Sequence, residues 1–288
     1  MRLATRGSAL ARAQAELAAA ALRRCGAVCE LLVVRTRGDL LPGVPAERME
    51  GQGWFTAELE AAVLDGRADV AVHSAKDLPT VLAAGLGVVA HLERGDPRDA
   101  LVLRRGESLD DLGGEATVGT SSPRRAALLG AIRPGLRTVP MRGNVDTRLR
   151  KLDGGEVDAL LLACAGLDRL GLAGRATVRL DPTVVVPAPA QGALALEAAE
   201  EGPLHALLAA ADHAPTSAAV VAERTVLREL GGGCRLPLGA WARIAADGAL
   251  ELTAALGGEA GEVRRTSLRG DVADPVALGV AAAAELLR

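Results

Sequence analysis

Short apolar runs alternate with segments of helical spacing through the first two thirds of this 288-residue chain. Residues 2–4 and 28–34 are the first two such runs, and the segment 9–24 between them has helical spacing and follows Ser8, a suitable cap. This alternation is typical of α/β proteins with mostly parallel sheets. We therefore predict an α/β fold in which strands and helices follow one another along the chain.

The alternation is interrupted twice where charged residues, Gly and Pro become frequent. The first interruption covers residues 91–98, and the second begins at Pro187 and includes Gln191 and Gly192. We predict that the chain crosses at both points between two lobes, which gives a two-segment hinge and resembles bilobal ligand-clamping proteins. The predicted domain 1 comprises residues 1–92 with 192–212, and domain 2 comprises residues 98–187.

The last part of the chain has a different pattern. Residues 215–288 contain a helical segment, then three strand-like runs joined by short turns, then a final helix that Asp274 and Pro275 would open. This pattern predicts a small α+β domain with a three-stranded antiparallel sheet. Cys234 lies in a glycine-rich loop between the first helix and the first strand of this domain.

Composition excludes several classes of partner. The formal net charge is -3 and aromatic residues make up 1% of the chain, so neither a basic field nor stacking platforms favour nucleic-acid binding. The Ala-rich N-terminal segment is interrupted by Arg12, Gln14 and Glu16, which fits a core helix better than a signal peptide or membrane span. We expect a cytoplasmic protein. The four cysteines and four histidines form no disulfide framework or metal-ligand spacing, so we expect no structural metal.

One buried strand leads directly into a group of ionisable residues. Residues 70–72 are apolar and are followed by His73, Ser74, Lys76 and Asp77. Ligands of open α/β sheets bind at the carboxyl ends of the strands, so these side chains are candidates for a functional site. The alternative is an ordinary solvated turn before Pro79.

Arginines stand at helix starts, where the helix dipole disfavours them. Ser121 or Ser122 can cap a helix that begins at Pro123, yet Arg124 and Arg125 occupy its first turn. An anion beside the free N–H groups would remove the conflict, whereas the alternative is that both arginines point to solvent.

The same combination of Arg with Gly, Ser or Asn recurs after other predicted strands. It includes Arg6 with Ser8, Arg142 with Asn144 and Arg148, and Arg169 after a fourth strand. The recurrence predicts a cleft for a ligand that carries several carboxylates or phosphates, which arginines bind in bidentate pairs. A nucleotide is disfavoured because no Walker loop and no Gly-x-Gly-x-x-Gly after a strand is present.

Seven ordered motifs together resemble the porphobilinogen deaminase, or hydroxymethylbilane synthase, family. They are Ala-Thr-Arg-Gly-Ser-Ala-Leu-Ala from residue 4, His-Ser-Ala-Lys-Asp-Leu-Pro from 73, Gly-Thr-Ser-Ser-Pro-Arg-Arg from 119, Arg-Gly-Asn-Val-Asp-Thr-Arg from 142, Ala-Gly-Leu-Asp-Arg-Leu-Gly from 165, Pro-Ala-Gln-Gly-Ala from 189 and Gly-Gly-Cys from 232. The resemblance spans nearly the whole chain. It implies three domains, the first two built like type II periplasmic binding proteins, and a self-made dipyrromethane cofactor.

The resemblance also implies an activity and residue roles. The enzyme would be a monomeric transferase that condenses four porphobilinogen units into hydroxymethylbilane, with Asp77 as the acid–base and charge-stabilising residue and Cys234 as the cofactor attachment point. Loss of ammonia from porphobilinogen leaves an electrophilic azafulvene, whose developing positive charge a carboxylate can stabilise. The implied ligands of the substrate and cofactor carboxylates are Arg6, Ser8, Ser74, Lys76, Thr120, Ser122, Arg124, Arg125, Arg142, Asn144, Arg148, Arg169 and Gln191.

The chain departs from the family pattern in one loop. Residues 37–53 have no convincing period, and we predict a mobile loop there. The family usually has lysines in this loop, whereas this chain has Arg48 and Gln52, with Phe55 following. Two alternatives from other classes are a non-catalytic two-lobed protein that binds a multiply anionic small molecule, and the effector domain of a regulator. No helix-turn-helix is apparent for the latter.

Overall fold

The computed structural model describes residues 1–40, 55–233, 236–258 and 261–288, with only the backbone of residues 39 and 40. Two compact units divide the chain: unit 1 contains Met1–Arg94 and Ala193–Ser217, and unit 2 contains Gly95–Gly192 and Ala218–Arg288. The predicted three-domain division, in which residues 215–288 stand alone, stays a prediction.

Unit 1 is built around one five-stranded sheet. Its elements are β1 (Arg2–Arg6), α1 (Ala9–Arg24), β2 (Glu30–Val34), α2 (Arg37–Leu40), α3 (Ala57–Leu64), β3 (Val70–Ser74), β4 (Leu86–His91), β10 (Leu194–Ala199) and α7 (His205–Ala209). The strand order is β2-β1-β3-β10-β4. Strand β1 pairs in parallel with β2 and β3, whereas β10 runs antiparallel to both β3 and β4. Helix α8 (Ala214–Glu229) begins in this unit and continues into unit 2.

Unit 2 contains a second five-stranded sheet with an equivalent order. Its elements are β5 (Asp99–Leu103), β6 (Thr117–Gly119), α4 (Pro123–Ile132), β7 (Arg137–Val139), α5 (Val145–Asp153), β8 (Ala159–Ala163), α6 (Cys164–Arg169) and β9 (Val178–Arg179). The order β7-β6-β8-β5-β9 again places one antiparallel strand, here β5, beside the third parallel strand. Both sheets therefore have the strand order of type II periplasmic-binding-protein-like lobes, and the predicted α/β class is confirmed.

A three-stranded antiparallel sheet completes unit 2, as predicted. Strands β11 (Leu238–Ile244), β12 (Leu250–Gly257) and β13 (Val263–Gly270) pair in sequence order, and helices α8 and α9 (Pro275–Leu287) contribute to their apolar core. Asp274 caps α9 through a hydrogen bond that its side chain accepts from the N–H of Ala277. Within the described residues, no helix combines the length and apolar character needed to cross a bilayer.

Several elements differ from the sequence-based predictions. Helix α2 lies at the start of segment 37–53, which we predicted to be a mobile loop; most of this segment is outside the described residues. Strands β4 and β10 and helix α6 were not predicted. Because α6 follows β8 directly, Arg169 ends a short helix and does not stand at a strand end, which corrects the prediction. Pairing of β10 with β3 joins residues far apart in sequence, so local pattern alone carries little information about it.

Two glycines inside helices of unit 2 predict opposite effects of the same substitution. A Cβ at Gly279 in α9 would lie 2.6 Å from the carbonyl oxygen of Ala222 in α8, whereas a Cβ at Gly130 in α4 would meet nothing within 4 Å. We expect Gly279→Ala to lower the free energy of unfolding by about 1–3 kcal/mol through overpacking. Gly130→Ala should raise it by up to about 1 kcal/mol through better helix propensity. Urea unfolding of both variants measures the two signs; equal signs would contradict the prediction.

Candidate active site

Strand β3 ends at the first group of candidate residues. The strand passes from buried Val70–Val72 to His73 and Ser74, and a single 3-10 turn over Ala75–Asp77 follows. The N–H of Ala75 donates to the carbonyl oxygen of Ala193, which fixes the start of the turn. Asp77 is exposed and Lys76 is half-buried. The turn therefore presents an accessible carboxylate at the carboxyl end of a rigid strand.

Asp77 lines a small cavity of about 30 Å³ together with Arg6, Phe55, His73 and Ser74. The guanidinium carbon of Arg6 lies 4.2 Å from the ring centroid of Phe55, a cation–π contact. The hydroxyl of Ser74 accepts a 2.8 Å hydrogen bond from Nε2 of Gln14, another lining residue. Three predicted site residues of unit 1 and the predicted loop residue Phe55 are thus brought together. Ser8 instead caps α1, where its Oγ accepts from the N–H of Ala11.

A buried acidic cluster beside this cavity was not predicted from the sequence. Nε2 of His73 lies 2.9 Å from Oε2 of Glu197 on β10, and the Glu197 side chain is fully buried. Oε1 of Glu197 and Oε1 of Glu60 are buried and have no hydrogen-bond partner among the described residues. Burial raises the pKa of the Glu60 carboxyl, and the negative charge of Glu197 adds to the rise. A glutamate in the otherwise apolar run 194–198 was the available sequence signal.

The second group of candidate residues surrounds the start of helix α4 in unit 2. Ser122 caps the helix by accepting from the N–H of Arg125, and Pro123 is its first residue, as predicted. The hydroxyl of buried Thr120 accepts from the N–H of Ser122. Arg124 and Arg125 are both buried, so the alternative in which they point to solvent is wrong.

Much of the negative charge that the helix start requires is supplied by Asp99, the fully buried first residue of β5. Its Oδ2 accepts from Nη1 of Arg124 at 2.6 Å, and its Oδ1 accepts from Nη2 of Arg125 at 2.7 Å. The two guanidinium groups hold the pKa of the Asp99 carboxyl well below its usual range, against the opposing effect of burial. Sequence analysis did not identify Asp99. Its only signal is a charged residue that begins the apolar run 100–103.

More arginine charge lies close to Arg125. Burial, together with the neighbouring positive charges of Arg125 and Arg142, lowers the pKa of Arg148 to about 10. Nε of Arg148 donates to the carbonyl oxygen of Gly143. Asn144 is exposed at the start of α5 and makes no side-chain cap hydrogen bond. The structure therefore gathers like charges close to one another in a set that we call the arginine group: Arg124, Arg125, Arg142 and Arg148.

Arg169 and Gln191 both donate hydrogen bonds to residues of the predicted crossover segments. Nη2 of Arg169 donates to the carbonyl oxygen of Gly192, and burial lowers the pKa of this arginine to about 10. Nε2 of buried Gln191 donates to the carbonyl oxygen of Pro97 at 2.8 Å and to Oδ1 of Asp99 at 3.0 Å. Gln191 is thus joined to the same carboxylate as Arg124 and Arg125.

Cys234, Arg48 and Gln52 lie outside the described residues. The three glycines before Cys234 have positive φ angles of 86°, 63° and 122°. Residues other than glycine rarely adopt such angles. No group of three or more histidine, cysteine or acidic side chains that could hold a metal occurs in the described ranges.

The arginine group fits a ligand with several carboxylates. Nε of Arg124 is buried and has no hydrogen-bond partner within the described part of the chain. Arg125 and Arg148 keep N–H groups beyond those used in the hydrogen bonds above. A carboxylate can use such donors and reduce the repulsion among the arginines. The donor set of unit 2 therefore suits the acidic side groups of a dipyrromethane.

Comparison with known proteins gives matches along the chain. The family profile described as "Porphobilinogen deaminase, dipyromethane cofactor binding domain" matches residues 1–205, and the porphobilinogen deaminase C-terminal domain matches residues 217–288. Porphobilinogen deaminase from Acidothermus cellulolyticus is 47% identical over 294 residues, covering 100% of this chain and 88% of that protein. The same enzyme from Roseiflexus sp. is 44% identical, covering 99% and 95%. A solved structure of the BvgS VFT2 domain from Bordetella pertussis shares 19% identity and a TM-score of 0.43, covering 73% and 85%.

The raised pKa of Glu60 predicts a pH-dependent stability difference. A carboxyl whose pKa is higher in the folded state makes folding less favourable as pH rises from the unfolded value toward the folded one. Glu60→Gln removes this titration, so the variant should gain stability relative to the wild type as pH increases from about 4.5 to neutral. Urea midpoints at pH 5 and pH 7.5 measure the gain.

Glu16→Gln on α1 is the matched control, because its side chain is 61% exposed and the substitution also removes one carboxylate. We expect no comparable gain with pH in this variant. A parallel response of the two variants would show that the effect reflects net charge and not the burial of Glu60.

Proposed function

Because the chain belongs to the porphobilinogen deaminase family, we propose that it deaminates porphobilinogen and condenses four units head to tail into the linear tetrapyrrole hydroxymethylbilane. It is a transferase of tetrapyrrole biosynthesis. The observation that carries the proposed residue roles is the arginine group, whose buried or half-buried and closely spaced charges suit the acetate and propionate groups of pyrrole units.

Asp77 is the proposed catalytic residue. Loss of ammonia from porphobilinogen creates positive charge on the pyrrole ring, and a carboxylate near the ring nitrogen stabilises that charge. The same carboxylate can accept and return a proton during carbon–carbon bond formation. The exposed position of Asp77 at a strand end supports this role, because the group is accessible to substrate while the backbone that carries it is fixed by a hydrogen bond.

The proposed ligands of the carboxylates differ in how firmly they are held. Arg124, Arg125 and Gln191 are buried and share Asp99, so their side chains are held in place before a ligand binds. Arg142 and Arg148 are half-buried and add positive charge. The remaining proposed ligands are Arg6, Ser8, Ser74, Lys76, Thr120, Ser122, Asn144 and Arg169, with Arg48, Gln52 and Phe55 as proposed loop contacts.

Cys234 is the proposed attachment point of a dipyrromethane cofactor, joined through a thioether. When bound, the cofactor supplies the pyrrole carbon to which the first substrate unit is added. Thiolate sulfur is a strong nucleophile toward electrophilic carbon, so Cys234 is suited to forming the carbon–sulfur bond while ammonia leaves the substrate. The three residues before Cys234 are glycines, which have no side chain that could crowd a bulky adduct.

The remaining expectations concern partners and location. We propose that the enzyme acts in the cytoplasm as a monomer and binds neither nucleic acid nor membranes. The non-catalytic binding protein is the weaker alternative, because an anion binder requires neither a thiol at Cys234 nor an exposed acid–base residue at Asp77. A covalent adduct distinguishes the two functions directly.

Intact mass spectrometry of the purified protein tests the proposed function. We expect a mass above that of the polypeptide by two linked pyrrole units, and we expect Cys234→Ser to have the polypeptide mass and no activity. Cys164→Ser is the matched control, because Cys164 is a buried free thiol whose pKa is raised to about 12, mainly by burial, so it should not react. An active wild-type protein with an unmodified mass would rule out the covalent cofactor.

Replacing Asp77 tests the catalytic role. Asp77→Asn keeps the size of the side chain but neither accepts a proton nor balances a positive charge, so kcat should fall about 100-fold or more with a smaller change in KM. Single-turnover release of ammonia measures this effect in variants whose mass shows the assembled cofactor. Asp65, an exposed carboxylate that follows the last residue of α3, provides the control, and Asp65→Asn should keep wild-type turnover. Near wild-type turnover in Asp77→Asn would show that Asp77 is only a turn residue and not the catalytic group.

A further inference from the structure

We propose that Asp99 is a positioning residue that orients Arg124, Arg125 and Gln191 for binding the carboxylates of the cofactor. This inference rests on the proposed function. It assigns a role to a residue that touches neither substrate nor cofactor in that proposal and acts only through the side chains that it holds.

Four hydrogen bonds from three side chains converge on the Asp99 carboxylate. Oδ2 accepts from Nη1 of Arg124 at 2.6 Å. Oδ1 accepts from Arg125 through Nη2 at 2.7 Å and Nε at 3.0 Å, and from Nε2 of Gln191 at 3.0 Å. Such charge-assisted bonds are short and directional, and here the acceptor is fully buried, so water does not compete for it. One carboxylate therefore fixes the directions of two guanidinium groups and one amide.

Backbone carbonyl groups hold the same two arginines from other directions. Nη1 of Arg124 also donates to the carbonyl oxygen of Val186 at 2.8 Å, and Nη1 of Arg125 donates to that of Leu161 at 2.9 Å. Several donors are left over, among them Nε of Arg124. The pair of arginines keeps a net positive charge beside Asp99, because one carboxylate neutralises only one guanidinium. Asp99 thus orients the pair without cancelling its attraction for an anion.

A second fully buried carboxylate in unit 2 shows a contrasting arrangement. Glu223 on α8 accepts hydrogen bonds from the backbone N–H groups of Ala190 and Ala242, so it stabilises the chain path. Asp99 instead bonds to side chains that are themselves proposed ligands. Replacing either carboxylate by its amide should reduce stability, but only the change at Asp99 should alter how well anions bind.

Cofactor loading of the full-length protein separates positioning from stability. The chain is produced without porphobilinogen, then incubated with increasing porphobilinogen, and the modified fraction is read by intact mass. For Asp99→Asn we expect the loading midpoint to move to a concentration at least about tenfold higher than in the wild type, because two arginines lose their fixed orientation. Saturating porphobilinogen should restore loading in the folded variant.

Glu223→Gln is the control, because Glu223 is a buried carboxylate that accepts hydrogen bonds from two backbone N–H groups. Its thermal midpoint should fall while its loading midpoint stays at the wild-type value. Asp99→Glu keeps the negative charge with one more methylene, so we expect an intermediate loading midpoint, and this variant decides the matter if Asp99→Asn does not fold. A wild-type loading midpoint in folded Asp99→Asn, or in Asp99→Glu when Asn does not fold, would overturn the positioning role.

The same experiment separates this inference from the proposed function. A wild-type protein that never gains mass at any porphobilinogen concentration would overturn the proposed function, and the positioning role with it. Normal loading of the wild type with identical loading of the Asp99 variants would overturn the positioning role alone.

Discussion

A fully buried carboxylate must be paired, and three such residues follow the points where the chain passes from one unit to the other. Asp99, Glu197 and Glu223 are each completely shielded from solvent and lie shortly after the passages that begin at Gly95, Ala193 and Ala218. Each binds groups of the unit that the chain has entered. Because an unpaired buried charge costs several kcal/mol, an incorrect path at any of these points would be strongly disfavoured. The pairing of these carboxylates thus favours the chain path in which each segment joins its own unit. The strand order of both sheets depends on that path.

Sequence signals for helix ends, such as capping residues and proline, predicted most of the elements that carry them. The α1 helix, α4 with its Ser122 cap and α9 with its Asp274 cap were predicted correctly because capping and proline placement act over a few residues. Strand β10 was missed because its pairing is determined by β3, and the contact between His73 and Glu197 joins residues separated by 124 positions. A single apolar run of this length does not distinguish a strand from a buried helix segment.

For the arginines at the start of α4, the helix dipole predicted that negative charge is needed but not which residue supplies it. The rule correctly indicated that Arg124 and Arg125 require negative charge nearby. It did not indicate where that charge is located, and Asp99 precedes Arg124 by 25 positions on an antiparallel strand. Burial has a further consequence for mutational studies. Arg124→Ala or Arg125→Ala would leave a buried carboxylate with fewer partners, so lost activity in these variants would not distinguish lost binding from lost folding.

The same constraint on buried charge supports our proposal that Asp77, and not a fully buried carboxylate, is the catalytic residue. A proton-transfer group must change its charge during each cycle without disrupting its surroundings. Asp99 does not meet this requirement, because Arg124 and Arg125 hold its pKa far below neutral and its protonation would leave both of them without a counter-charge. Glu197 is enclosed beside His73. Asp77 is exposed on a short turn at the end of β3, so its charge can be balanced by the substrate. The fold therefore separates buried carboxylates that hold the structure together from an exposed carboxylate that has the accessibility required by the proposed catalytic role.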